Sequence, residues 1–158
     1  MARQQCALDP DTDLLVMKNQ QLKMHTVGKW GQEALAHYLC LDNPDKPMAT
    51  IEDFMNDYDV YGIQARSTLH ADGHLLTKPN DKPGPYCLIT VDRKAYDWVE
   101  CTLHGWQWLY ECNQDANWRT HSPYTGKPMP RPCYMTPQSA LQPMDSIPIP
   151  QLDEGRGR

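Results

Sequence analysis

The sequence predicts an α+β domain in which a helix is followed by a mostly antiparallel four-stranded sheet and a proline-rich C-terminal segment. Three observations carry that expectation. Apolar residues between Leu14 and Leu41 recur at helical intervals. After Tyr58 the pattern changes to alternating, β-branched runs separated by Gly and Pro. Eight of the 14 prolines lie at or after Pro123, where chain without free φ rotation or a backbone donor reads as extended or looped. A length of 158 residues suits one domain, and 40% hydrophobic with 22% charged residues is the balance of a folded chain.

Taken in order, Val27, Gly31, Leu35, Tyr38 and Leu39 share one helical face. Gly28 and Gly31 weaken the start, so the expectation is a first helical piece near 12–24 and a firmer helix near 27–40, stopped by Pro44 and Pro47. Ala49 to Met55 reads as a short acidic turn. Val60 to Leu69 alternates as a strand, Ala71-Asp72-Gly73 as a turn, and His74 to Thr77 as the strand returning beside it. Tyr86 to Val91 is apolar on both faces, as a central strand requires. Trp98 to Leu103 alternates Val99, Cys101 and Leu103 against Glu100 and Thr102, and Gly105 to Cys112 suits a short helix. Beyond it, short order is expected at Cys133–Thr136 and Pro137–Leu141, and disorder from Asp153 onward.

Fifteen Lys and Arg against 20 Asp and Glu leave a net charge of −5, which argues against a chain that coats nucleic acid by its total charge. The distribution is more informative. Glu52, Asp53, Asp57 and Asp59 fall in residues 51–61 with no cation. Residues 62–96 hold Arg66, Lys78, Lys82, Arg93 and Lys94 against Asp72, Asp81 and Asp92, a net of +2. No window approaches the roughly 20 apolar residues of a membrane helix, and Asp9, Asp11 and Asp13 stand where a secretory leader needs an apolar run. A cytoplasmic protein with reduced cysteines is the expectation.

Chemistry is suggested by Asp59-Val60-Tyr61-Gly62-Ile63-Gln64-Ala65-Arg66. Residues two apart on a strand share a face, so Gln64 and Arg66 project together. Gly62 permits a bend that could bring Asp59 to the same place. A carboxylate and a carbonyl suit Mg²⁺, which takes further ligands from phosphate, and the cation would steady charge developing on phosphorus. Surface polar residues on a half-exposed strand are the plainer account of the same pattern. Cys101, His104, Cys112 and His121 form a candidate zinc set for an interaction protein, but they lack the short ligand spacings of zinc sites, so zinc is not expected. His70, Asp72 and His74 read as a solvated hairpin tip. The five Trp, in a chain with one Phe, read as core bulk rather than a base-stacking platform.

The run Gly28-Lys29-Trp30-Gly31-Gln32-Glu33-Ala34-Leu35-Ala36-His37-Tyr38-Leu39, followed by DVYGIQARST at 59–68, resembles a family of small phage- and prophage-encoded proteins of the PD-(D/E)XK nuclease-like class. That family typically has a Gly-x-x-Gly-Glu-x-Ala helix and then Asp-Val-x-Gly-x-(Glu/Gln)-Val-Arg-x-Thr. Gly73 to Leu76 with Lys78 and Pro79, Leu88 to Val91, His104-Gly105-Trp106 and Tyr134 to Met144 extend the resemblance across about residues 25–145. It implies one nuclease-like domain over 25–145 with a helix leaning on a bent sheet; the residue pattern on either side reads as a helical extension at 1–24 and a Pro-rich, disordered tail at 146–158.

By that resemblance Asp59 would be the metal carboxylate, Gln64 would stand where a second carboxylate often lies, and Arg66 where such nucleases usually have Lys. Gln32 falls where the family helix carries Glu. Glu33 could replace it only if the helix turned by about 100°. Arg cannot serve as a base near neutral pH, so water activation would rest on a metal ion. Two functions follow. One is a Mg²⁺-dependent nuclease-like protein acting on DNA, with Asp59, Gln64, Arg66 and Glu33 at its site and Arg66, Lys78 and Lys82 along the phosphate backbone. The other is an inactive relative acting through a protein partner.

Overall fold

The structure, a computed structural model, describes residues 2–7, 20–41, 60–95 and 98–149. Its elements are strand β1 (Ala2–Ala7), helix α1 (Gln20–Leu41), strands β2 (Gln64–Thr68), β3 (Leu75–Thr77), β4 (Pro85–Ala95) and β5 (Trp98–Trp108), the single-turn helix α2 (Leu109–Cys112), and strands β6 (Trp118–His121) and β7 (Pro128–Thr136). The protein is therefore α+β, with one long helix and mostly antiparallel sheets. One sheet has the order β1-β5-β4-β2 and the other β3-β7-β6. Among the described residues no helix is long and apolar enough to cross a membrane.

β4 organises the molecule because it is buried on both faces, as its unbroken apolar run requires. Its alternating side chains divide the interior in two. Cys87, Ile89 and Val91 turn toward α1 and join Val27, Trp30, Ala34, Leu35 and Leu39 with Val99, Cys101 and Leu103 of β5. Tyr86 and Leu88 turn the other way, onto Leu75, Leu109 and Cys112. Each fully buried Leu, Ile or Val contributes on the order of 1.5–3 kcal/mol. The helix runs unbroken through Gly28 and Gly31. Gly31 lets it approach β2 closely, because a Cβ there would overlap Ser67 Oγ and lie 3.0 Å from Ser67 Cβ.

Several sequence expectations need correction. His74 to Thr77 does not return beside the preceding strand. β2 instead pairs in parallel with β4, Gln64 opposite Tyr86, while β3 crosses to the second sheet and pairs with β7, Leu75 opposite Thr136. The expected four-stranded sheet thus exchanges β3 for β1, whose Ala2–Ala7 runs antiparallel to β5 inside the stretch read as a helical extension. β5 continues as a strand to Trp108, and only Leu109–Cys112 is helical. The chain beyond Cys112, expected to be mostly extended or looped, holds two strands, of which β7 carries prolines. Pro128, Pro130 and Pro132 are tolerated in β7 because β3 reaches only Tyr134–Thr136, so the proline-bearing half has one strand partner. Order continues beyond residue 145, with Ile147 and Ile149 packed on the helix-side core. The acidic turn expected at 49–55 and the disorder expected from 153 lie outside the described residues.

Two tight places shape the site region. Val60 and Ile63 exchange backbone hydrogen bonds of 2.9 Å around Tyr61 (φ 55°) and Gly62 (φ 84°), a two-residue reversal immediately before β2. At the other end, the β4–β5 register shifts so that Leu88 faces Gly105 and Ile89 faces Leu103, leaving His104 as the extra residue of a bulge. Gly105 there has φ 147°, and a Cβ on it would lie 2.5 Å from Gln142 O. The space is filled by the C-terminal chain. Trp106 and Gln142 exchange backbone hydrogen bonds of 3.0 and 2.8 Å, and Trp106 Nε1 donates to Pro143 O at 3.1 Å.

Candidate functional site

β2 is an outer strand, and among the described residues it pairs on one side only. Along its other edge opens a cleft of about 630 Å³, bounded across the gap by β3 and β7. The alternation Met129, Arg131, Cys133, Met135 places four β7 side chains on the cleft side. Leu76, opposite Met135 on β3, and Leu88 add to an apolar lining.

Three cations from three elements enter this apolar space: Arg66 of β2, Lys78 just after β3, and Arg131 of β7. Among the described residues the cleft is lined by one carboxylate, Asp81, against three cations. Asp81 Oδ2 accepts from Arg66 Nη2 at 3.1 Å and from the Lys78 backbone N–H at 2.9 Å. The Arg66 guanidinium also lies 5.2 Å from the Tyr86 ring centroid, a cation–π contact, and its buried Nε has no acceptor. Neither Lys78 Nζ nor the Arg131 guanidinium has a carboxylate partner among the described residues. Burial, and then Asp81, push the Tyr86 phenol above its usual pKa, so it stays protonated and donates to Lys82 O at 2.8 Å.

An aromatic rim stands at one side. The His70 and Tyr124 rings stack with centroids 5.1 Å apart and planes 18° from parallel, and His74 meets the same tyrosine edge-on at 5.7 Å. The His74 N–H donates to Tyr124 Oη at 3.0 Å. The turn is exposed at His70, Ala71 and Asp72, as expected, while its two histidines rest against Tyr124.

Asp59 lies outside the described residues. Gln64 and Arg66 lie on one strand, two residues apart, as expected. α1 packs on the face carrying Ala65 and Ser67, and Glu33 on it contacts His37 Nε2 at 4.0 Å, not Gln64 or Arg66. Lys78 joins Arg66 in the cleft, whereas Lys82 is not in its lining. Arg131, Tyr124 and the two histidines were not expected there. The one available signal was the alternation of Met, Arg and Cys between prolines at 128–133.

Among the described residues no three His, Cys, Asp or Glu side chains gather closely enough to hold a metal ion. The candidate zinc set is dispersed. Cys101 belongs to the helix-side core and Cys112 to the opposite one. His104 Nε2 lies 2.6 Å from Thr90 Oγ1, its pKa lowered by burial, and His121 is exposed beside Thr120. Cys87, Cys101, Cys112 and Cys133 are free and buried. Trp30 and Trp106 are buried, while Trp118 is 38% exposed and edge-packed on Tyr134. Comparison with family models, with curated proteins and with solved structures finds no match.

Proposed function

We propose that this chain is a nuclease-like phage protein of the PD-(D/E)XK class that acts on DNA, with the sugar-phosphate backbone held in the cleft beside β2. The observation that carries this reading is the convergence of Arg66, Lys78 and Arg131 on one cleft that, among the described residues, is lined by a single carboxylate. Backbone phosphates are the ligand such a surface suits, because their charge is exchanged for side-chain charge with release of counterions. The motif order across residues 25–145 supplies the nuclease-like part.

Hydrolysis needs more than binding. Among the described residues, Gln64 offers one neutral carbonyl and Asp81 is engaged by Arg66 and Lys78, so a Mg²⁺ ion requires the Asp59 carboxylate beside Gln64. Bound there, Mg²⁺ would supply the lowered water pKa that neither Gln64 nor Arg66 can provide. Arg66 then neutralises charge on the transferred phosphoryl group. Incubation with plasmid, linear and single-stranded DNA plus Mg²⁺ or Mn²⁺, beside an Asp59→Ala control, tests this. Cleavage by the wild type alone supports it, and cleavage of nothing or equal cleavage by the variant refutes it.

A second reading is favoured by the Arg66–Asp81 pair, which engages the cation on a carboxylate, and by the neutral Gln64. It is a catalytically inactive relative acting through a protein partner, for which the edge of β2 at Arg66–Thr68, without a strand partner among the described residues, offers backbone donors and acceptors.

A further inference from the structure

We infer that the cleft takes single-stranded DNA, with an unpaired base seated between β2 and β7. The inference rests on the DNA-binding reading and names the form of the substrate. A surface made for duplex backbone has no use for an apolar interior, because the bases of a duplex are already stacked and paired. Here the cations open onto Leu76, Met129 and Met135. Thioethers make favourable contacts with aromatic rings. The volume of about 630 Å³ falls within the range of small-ligand pockets, which admits one nucleotide and not a double helix.

The polar groups fit the same occupant. Lys78 and Arg131, without carboxylate partners among the described residues, stand on different elements of the lining, where phosphates flanking the seated base would run. The His70–Tyr124 stack at the margin is 40% exposed at its tyrosine, and a neighbouring base can extend it. Cationic groove plus ring-stacking platform is the combination that holds single strands with little sequence preference. An acidic peptide would satisfy the cations but leave the stacked rings and thioethers without a planar partner.

The test uses the full chain in EDTA, so that binding is measured without cleavage. Fluorescence anisotropy compares a labelled thymidine strand of about 16 nucleotides, the duplex of equal length, and an abasic strand that keeps every phosphate. The thymidine strand is expected to bind about tenfold tighter than either of the others. Leu76→Ser, at a position 44% exposed and so tolerant of truncation, is expected to remove about tenfold of the thymidine-strand affinity. Equal affinity for all three probes, weakened by Arg131→Ala, would overturn the seated base while leaving the DNA-binding reading intact. Binding to none of them overturns both.

Discussion

The contact between Gly31 and Ser67 makes a sharp quantitative test of how α1 sits on its sheet. In an unconstrained helix, Gly31→Ala would stabilise the protein by about 1 kcal/mol through helix propensity. Here the new methyl would overlap Ser67 Oγ and meet Ser67 Cβ at 3.0 Å and Ile89 Cβ at 3.7 Å. Overpacking of this kind costs roughly 1–3 kcal/mol, so the net expectation is a loss of up to about 2 kcal/mol. Ser67→Ala acts in the opposite direction, because its buried hydroxyl has no hydrogen-bond partner. Relief of an unsatisfied buried hydroxyl is worth about 1–3 kcal/mol, reduced by lost packing. The double variant removes the overlapping oxygen, so its stability is expected to exceed the sum of the two single changes by about 1–2 kcal/mol. Urea unfolding followed by tryptophan fluorescence reads this as shifts in midpoint at constant slope. Strict additivity, or a Gly31→Ala protein more stable than wild type, would refute the close packing of helix on strand.

Other outcomes follow from the cleft and the bulge. With three cations engaged, the salt dependence of single-strand binding should have a logarithmic slope of about −2, falling by about 0.7 in Arg131→Ala; an unchanged slope removes Arg131 from the interface. Asp81→Asn should tighten DNA binding by removing a negative charge from the cleft, while changing stability by no more than about 1 kcal/mol, since the pair is part-exposed and screened. Gly105→Ala should cost about 2–3 kcal/mol in thermal or urea unfolding, because φ 147° and the nearby Gln142 carbonyl both oppose a side chain. Burial lowers the folded pKa of His104 below 6.5, so the unfolded chain binds more protons as pH falls through that value. The stability it supports is complete above pH 6.5 and lost on acidification toward the lowered folded pKa, and His104→Gln should flatten the melting temperature over that window.

The helix, β4 and β5 were legible because their periodicity is local and their cores are continuous. Partnership was not. Nothing in Leu75-Leu76-Thr77 distinguishes a strand that folds back on β2 from one that crosses to β7, because the choice depends on an edge contributed by residues 134–136. β7 was hidden by prolines that normally argue against strands, and only the one-sided pairing of 128–133 removes that objection. At the site, Gln64 and Arg66 could be placed from strand alternation, and Lys78 from the charge pattern. Arg131 and Tyr124 could not, since a cleft between two sheets exists only once both have closed.

That dependence has a consequence for how the molecule is made. β3 leaves the ribosome long before β7, its only described strand partner, and the cleft has no far wall until Thr136 has emerged. Pairings of such long sequence separation form late. Translation therefore supplies α1, β4 and β5 before the far wall of the cleft, and Met144, Ile147 and Ile149 close the helix-side core after it. A chain interrupted before Pro128 would keep most of its folded interior yet lack Arg131, so ligand affinity reports completed synthesis more faithfully than helical content does.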